Sequence, residues 1–136
     1  MAAVVLDAST VVDFLLDEDR AAPVEQLLRS EDEEIWVPAL CDVEVTGAIG
    51  RTVLNGRLTR KHAVVLIESY LDLPIQRHGH EVLLTRMLEL AGNFTSYDAA
   101  YVALAERLDN RLITSDKRLA RAVAAHTEVT LTDGIK

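Results

Sequence analysis

The chain has 136 residues, of which 49% are hydrophobic, and its single cysteine is Cys41. This length and composition predict one domain, residues 1–136, with a substantial core and no internal disulfide. A net charge of −8 argues against non-specific binding of nucleic acid, although carboxylates gathered around metal ions would lower the charge in the same way.

Short apolar segments alternate with helical segments along the chain. In chain order the pattern predicts a strand at 2–6, helices at 10–16 and 21–29, a strand at 35–37, helices at 39–54 and 59–71, a strand at 73–75, helices at 81–90 and 95–108, a strand at 111–114, a helix at 117–125 and a strand at 129–131. The acidic segment 30–34 is expected to be a solvated turn. Such alternation is typical of an α/β fold whose parallel sheet is covered by helices on both faces.

No apolar run approaches the roughly 20 residues that a membrane-spanning helix needs. The chain does not begin with a basic segment followed by a long apolar core, the pattern of a secretory signal. We therefore expect a cytoplasmic protein that does not contact a membrane.

Two predicted strands are followed by a carboxylate. Asp7 ends the first strand within VVLDAST, and Asp116 ends the segment LITSD. In parallel sheets, sites form beyond the carboxyl ends of the strands, near the topological switch. Either residue alone is more often a helix cap than a catalyst, and Ser9 or Thr10 could also cap the first helix. Two carboxylates at the same edge of a sheet are less easily explained by capping.

Two further acids lie in predicted helices among small or apolar residues. Asp98 falls in the first turn of its helix, where the helix dipole stabilises an anion by up to about 1 kcal/mol. Small residues after Asp98 would let that helix approach the sheet closely. Glu44 shares one helix side with apolar and small residues, where a carboxylate is costly unless it is paired or bound to a metal. Arg51 is an alternative partner for Glu44.

Four carboxylates converging at one edge would repel one another unless protons or cations neutralised them. Ligands that are all oxygen favour Mg²⁺ or Mn²⁺ over zinc. A water on such a metal can attack a phosphodiester, and the hydroxyl of Ser9 could hold a water or a phosphate oxygen nearby. The candidate catalytic and metal-binding residues are therefore Asp7, Glu44, Asp98 and Asp116.

Basic and apolar residues near these acids suggest binding surfaces. Arg51 and Lys117 lie close to the acids in sequence and are the candidate RNA-binding residues, the alternative being a solvated helix surface. The first helix carries more apolar residues than one face must bury, so part of it could form a groove for a protein partner, although plain core burial is at least as good an explanation. These apolar residues are Val11, Val12, Phe14, Leu15 and Leu16.

The sequence resembles PIN-domain ribonucleases, and more narrowly the VapC toxins of prokaryotic toxin–antitoxin pairs. The resemblance rests on D-A-S after the first strand, Y-D-A-x-Y-x-A-L-A around Asp98 and T-x-D-x-x-L around Asp116. Length, order and spacing match across essentially the whole chain. The resemblance implies a three-layer α/β/α domain with a central, mainly parallel sheet of about five strands.

The same resemblance implies a Mg²⁺- or Mn²⁺-dependent endoribonuclease that forms a homodimer and is inhibited by a VapB-type antitoxin. Carried over by position, Asp7 and Asp98 resemble the main metal ligands, Glu44 and Asp116 complete the acidic site, and Ser9 matches a supporting hydroxyl. Some members have a further acid or amide after the last Asp. Lys117 and Arg118 stand there in this chain, which leaves open a fifth ligand and a full two-metal site.

Two other functions are alternatives to the toxin ribonuclease. An aspartyl phosphatase also begins with an Asp at a strand end, but its pattern is D-x-D, and Ser9 occupies the second position. The alternative that remains is a catalytically weak PIN-like module that binds RNA or a protein partner. Loss of one or more of the four acids would mark such a module, and none of them is lost. The sequence does not indicate which RNA would be cleaved.

Overall fold

The computed structural model describes residues 2–132, except for the side chain of Glu18. The strands are β1 (Ala2–Leu6), β2 (Glu33–Pro38), β3 (Ile75–His78), β4 (Arg111–Ile113) and β5 (Thr130–Leu131). The helices are α1 (Ala8–Leu16), α2 (Ala22–Arg29), α3 (Cys41–Leu54), α4 (Arg60–Asp72), α5 (Leu84–Glu89), α6 (Ser96–Arg107) and α7 (Lys117–His126), with short 3₁₀ turns at Glu18–Arg20 and Glu81–Leu83. The strands form one parallel sheet in the order β3-β2-β1-β4-β5, which confirms the predicted α/β fold.

The centre of the sheet is β1, which pairs with β2 on one side and with β4 on the other. Its residues Val4, Val5 and Leu6 are completely buried, as expected for a parallel strand covered on both faces. Helix α6 packs against β1, β2 and β4, and every residue from Ala99 to Ala105 is buried. The small residues that follow Asp98 thus lie against the sheet, as the sequence predicted.

The direction in which successive strands are added to the parallel sheet changes once. The chain first adds β2 and β3 on one side of β1, and then returns to add β4 and β5 on the other side. Right-handed crossovers, the rule for parallel strands, place α1 to α4 on one face and α5 to α7 on the other. The reversal leaves a crevice beyond the carboxyl ends of β1 and β4, where sheets of this kind bind ligands. Asp7 follows β1 and residues 114–116 follow β4, so both segments lie at this switch point.

Several element boundaries differ from the predicted ones for identifiable reasons. Helix α1 begins at Ala8 rather than at residue 10, because Asp7 is its N-cap. Strand β2 begins at Glu33, inside the segment expected to be a solvated turn, because Glu33 and Glu34 pair with the start of β1. Strand β3 lies at 75–78 rather than 73–75, because it pairs with β2 as far as Pro38.

The single cysteine and the hydropathy of the helices can also be compared with the sequence. Cys41 is buried at the start of α3, and burial raises the pKa of its thiol to about 11. Among the helices of residues 2–132, none combines the length and the hydropathy that a bilayer crossing requires.

Candidate active site

Asp7 caps α1 and is also tied to the end of β4. Its Oδ1 accepts hydrogen bonds from the Ser9 hydroxyl at 2.7 Å and from the Thr10 backbone N–H at 3.1 Å. Its Oδ2 accepts a hydrogen bond from the Thr114 hydroxyl at 2.7 Å. Capping therefore does explain the position of Asp7, but its second oxygen bonds beyond the cap, to Thr114 directly after β4.

The carboxylate of Asp7 is held in an environment that disfavours its charge. Asp7 is only 5% exposed, and burial raises the pKa of its carboxylate. Hydrogen bonds from Thr114, Ser9 and Thr10 lower this pKa. None of the ion pairs among the described residues includes Asp7. A buried carboxylate without a basic partner costs stability, which makes it a candidate for a functional group.

The ends of β1 and β4 are linked by one hydroxyl. Thr114 Oγ1 donates to Asp7 Oδ2 and accepts the backbone N–H of Asp116 at 3.0 Å. Asp116 is the N-cap of α7, and its Oδ1 accepts the N–H groups of Arg118 at 2.9 Å and Leu119 at 3.2 Å. Thr114 thus links the carboxylate of Asp7 to the backbone of Asp116 at this edge of the sheet.

Glu44, on α3, is held by a tyrosine of α6. Its Oε1 accepts a hydrogen bond of 2.6 Å from the hydroxyl of Tyr101. Burial raises the pKa of Glu44, the negative charges of Asp98 and Asp7 raise it further, and the bond from Tyr101 lowers it. Glu44 therefore lies close enough to Asp98 and Asp7 for its pKa to respond to both negative charges. The alternative partner, Arg51, forms no ion pair with Glu44 in the part of the chain that the structure describes.

Asp98 lies in the first turn of α6 and is paired with an arginine of α7. Thr95 caps the helix by accepting the backbone N–H of Asp98 at 3.1 Å. Nη2 of Arg118 lies 2.9 Å from Oδ2 of Asp98 and 3.3 Å from Oδ2 of Asp116. These two carboxylates raise the pKa of the Arg118 guanidinium. One side chain therefore joins two of the candidate acids.

A cleft beside Glu44 contains one of the two candidate RNA-binding residues. Ser9, Glu44 and Arg51 line this cleft, whose volume is about 330 Å³. A Cβ atom placed on Gly47 would lie 3.5 Å from Nη1 of Arg51. The guanidinium of Arg51 therefore folds back along α3 over this glycine. Lys117 is exposed at the start of α7 and does not line the cleft. Arg118, its neighbour, makes the contacts with the acids instead.

The four acids are the type of ligand that a divalent metal prefers, but their side chains are not arranged as a metal site among the described residues. Within residues 2–132, no group of three or more acidic, His or Cys side chains is arranged to hold a metal. The available donors are nevertheless carboxylate oxygens, which Mg²⁺ and Mn²⁺ prefer. Asp7 is buried and has no ion-pair partner among the described residues, whereas the Arg118 guanidinium contacts both Asp98 and Asp116. The donor set therefore fits Mg²⁺ or Mn²⁺. Arg118 neutralises Asp98 and Asp116, two of the carboxylates that a bound metal would neutralise.

Sequence reasoning missed the roles of three residues at this site. Thr114 and Tyr101 stand within the quoted motifs, but only the structure shows that they hold Asp7 and Glu44. The spacing of Tyr101, three residues after Asp98 on one helix, was a usable signal, because such residues share a helix face. Arg118 was noted only as one of the two basic residues that follow Asp116, and no pattern indicated its contact with Asp98, which comes from another helix.

Comparison with known families supports the interpretation of these motifs. A family model described as "PIN domain" matches residues 4–125. The chain belongs to the PIN-domain family. Among curated PIN-domain relatives, it is 38% identical to Ribonuclease VapC12 of Mycobacterium tuberculosis over 94% of this chain and 98% of that protein. It is 32% identical to Ribonuclease VapC9 of the same species over 94% of this chain and 97% of that protein. The predicted resemblance to PIN-domain VapC proteins is thereby confirmed.

Solved structures of the same architecture agree with the PIN-domain fold. The crystal structure of PAE2754 from Pyrobaculum aerophilum has a TM-score of 0.69 and 19% identity, and the match covers 96% of this chain and 83% of that one. The structure of VapBC-1 from nontypeable Haemophilus influenzae has a TM-score of 0.68 and 12% identity, with coverage of 98% and 99%. At these identities the likeness concerns the fold.

Proposed function

We propose that this PIN-domain chain is an endoribonuclease that requires Mg²⁺ or Mn²⁺ and acts as the toxin of a toxin–antitoxin pair. The observation that carries the proposal is the buried Asp7, which is tied through Thr114 to the segment that bears Asp116 and interacts electrostatically with Glu44. This assembly lies at the switch point of the sheet, where such folds place their sites. The ribonuclease names of the relatives support RNA as the substrate.

In this proposal Asp7 and Asp98 are the main metal ligands, and Glu44 and Asp116 complete the acidic site. When bound, the metal would supply an activated water and would polarise the scissile phosphate. The chain's own contribution is positioning: Ser9 and Thr114 fix the two oxygens of Asp7 from opposite sides. The hydroxyl of Ser9 also accepts the backbone N–H of Ser115 at 3.1 Å, so Ser9 supports Asp7 rather than standing free.

Arg51 and Lys117 are the proposed contacts to the RNA backbone. Arg51 lies in the cleft with Glu44, so a phosphate bound to its guanidinium would lie next to the acidic site. Lys117 is exposed at the start of α7, directly after the capping Asp116. Contacts of this kind add affinity and orient the strand without reading its sequence.

The proposed partners are a VapB-type antitoxin and a second copy of this chain, with the protein acting in the cytoplasm as a single domain. Similar structures carry the VapBC name, which supports an antitoxin partner. In α1, Val11 is buried, whereas Val12, Phe14 and Leu15 are only partly covered and Leu16 is exposed. This partial exposure supports the antitoxin groove proposed for α1.

One observation favours the alternative, a catalytically weak module that binds RNA or protein. Arg118 already neutralises Asp98 and Asp116, and the described residues contain no ready-made group of metal ligands. A protein in which this pairing persisted would bind partners without cleaving RNA.

Cleavage of total cellular RNA distinguishes the two functions. The purified chain is incubated with RNA and Mg²⁺ or Mn²⁺, with and without EDTA, beside Asp98→Asn and Asp72→Asn variants. Asp72 is exposed at the end of α4, so its variant controls for the loss of one carboxylate. Discrete fragments that disappear with EDTA and in Asp98→Asn, but not in Asp72→Asn, support the nuclease. Intact RNA with a folded protein supports the binding module.

A further inference from the structure

The proposed nuclease mechanism gives no role to Arg118, although Arg118 contacts two of the four candidate acids. Nη2 of Arg118 lies 2.9 Å from Asp98 and 3.3 Å from Asp116, and in both cases the partner atom is Oδ2. The Arg118 side chain is 60% exposed, whereas that of Asp98 is only 17% exposed. The guanidinium therefore reaches from the solvent side onto a carboxylate that is itself largely covered.

We propose that Arg118 is a built-in counter-ion that competes with the divalent cation for Asp98 and Asp116 and so lowers the metal affinity of the site. The inference rests on the proposed function, because it assumes that these acids bind a metal. It concerns how readily the site is loaded with metal, and it gives Arg118 no part in the chemical step.

The geometry of the contact explains why the two cations compete. One guanidinium nitrogen engages an oxygen of each acid, and these oxygens are among the donors available to a metal. A divalent cation bound to these carboxylates would lie near the guanidinium, and like charges at short range repel each other. The repulsion opposes metal binding, so we expect Arg118 to turn away when the metal binds.

The exposure of Arg118 indicates that this competition is modest. Exposed ion pairs contribute little to stability, and a long arginine side chain turns into solvent easily. Asp7 and Glu44, by contrast, have no ion-pair partner among the described residues. The acidic site therefore contains two pairs of carboxylates. Arg118 neutralises Asp98 and Asp116 and so opposes the binding of a cation. The negative charges of Asp7 and Glu44 are not neutralised by an ion pair and favour the binding of a cation.

Titration of Mn²⁺ into the metal-free protein by calorimetry tests the competition without relying on cleavage. The variants are Arg118→Gln, Arg121→Gln and Asp98→Asn, with folding of each checked by circular dichroism. Arg121 is exposed on the same helix, and it forms no ion pair within residues 2–132, so its variant removes an equal charge without removing the contact. We expect Arg118→Gln to bind Mn²⁺ about three- to tenfold more tightly than the unmodified chain. Arg121→Gln should stay within about twofold.

The outcomes separate the inference from the proposed function. If the unmodified chain binds Mn²⁺, Asp98→Asn does not, and Arg118→Gln binds no more tightly, the metal site stands and the inference is overturned. Weaker binding by Arg118→Gln, or equal tightening in Arg121→Gln, also overturns it, because Arg118 would then orient Asp98 or act only through net charge. Absence of Mn²⁺ binding in every folded chain overturns both proposals.

Discussion

The hydroxyl of Tyr101 donates a 2.6 Å hydrogen bond to Oε1 of Glu44 and so connects α6 to α3 at the acidic site. Tyr101 is only 2% exposed, and burial raises the pKa of its phenol, with the adjacent Glu44 carboxylate raising it further. The phenol is therefore a neutral donor throughout the physiological pH range. Because α6 also carries Asp98, a single helix positions two of the candidate ligands.

Replacing Tyr101 by Phe should shift the pH dependence of RNA cleavage. The bond from Tyr101 lowers the pKa of Glu44, while burial and the charges of Asp98 and Asp7 raise it. Without the bond the pKa of Glu44 rises further, and a protonated Glu44 cannot bind a cation. We expect the acidic limb of the cleavage rate profile to move to higher pH, and the free energy of unfolding to fall by about 1–3 kcal/mol.

Tyr70→Phe is the matched control for this shift. Tyr70 is equally buried, and its hydroxyl donates a 2.6 Å bond to Asp42, outside the acidic site. We expect a comparable loss of stability with no change in the pH profile. The same displacement of the profile in both variants would show that Tyr101 acts only through general stability.

Thr114 is expected to be essential for coupling the ends of β1 and β4. Thr114→Val removes the donor to Asp7 and the acceptor for the Asp116 backbone N–H, leaving buried polar groups unpaired. Urea unfolding should show a loss of about 1–3 kcal/mol, and Mn²⁺ affinity should fall because Asp7 is no longer fixed. Thr114→Ser retains the hydroxyl and should behave nearly like the unmodified chain. A Val variant with unchanged stability and affinity would refute this coupling.

Asp7→Asn should stabilise the metal-free protein at neutral pH while it abolishes cleavage. The pKa of Asp7 is raised in the folded state by burial, above an ordinary value of 3.8. The folded chain thus binds this proton more tightly than the unfolded chain. The associated stability is fully present below about pH 3.8 and is lost as pH rises through the raised pKa. Asn keeps a capping oxygen and carries no charge, so the variant avoids that loss.

Urea unfolding in EDTA between pH 4 and pH 8 measures this effect. We expect Asp7→Asn to exceed the unmodified chain by about 0.5–2 kcal/mol at pH 7, with the difference shrinking toward pH 4. Added Mn²⁺ should stabilise only the unmodified chain. A variant that is less stable by the same amount at every pH would mean that Asp7 is primarily a structural cap.

Arg51→Ala should weaken RNA binding without changing Mn²⁺ affinity. Arg51 lines the cleft beside Glu44 and contacts none of the acids through an ion pair among the described residues. Loss of one phosphate contact should reduce the slope of log affinity against log salt by about 1. Arg57→Ala, at an exposed position beyond α3, serves as the control. Equal losses in both variants would point to non-specific attraction instead of binding in the cleft.

The strand ends were the part of the site that the sequence could predict. An apolar run that meets Asp7, and another that leads to Asp116, imply a common edge as soon as a parallel sheet is inferred. The motif around Asp98 also predicted the helix that packs against the sheet. These are features of local sequence and period, so they are visible without coordinates.

The contacts between helices could not be predicted in the same way. Tyr101 and Glu44 are 57 residues apart, and Arg118 and Asp98 are 20 residues apart. No periodicity in one helix indicates which residue of another helix will face it, since that depends on how both pack on the sheet. Helical spacing therefore offered Arg51 as an alternative partner for Glu44, whereas the structure shows Tyr101.

Anomalous diffraction from crystals of the unmodified chain soaked in Mn²⁺ tests most directly whether these acids form a metal site. We expect a manganese peak bonded to oxygens of Asp7 and Asp98 at about 2.0–2.3 Å. Glu44 and Asp116 should then complete its surroundings, and the Arg118 guanidinium should have turned away. A peak away from these carboxylates, or no peak in crystals of a chain that cleaves RNA with Mn²⁺, would show that these acids do not form the metal site.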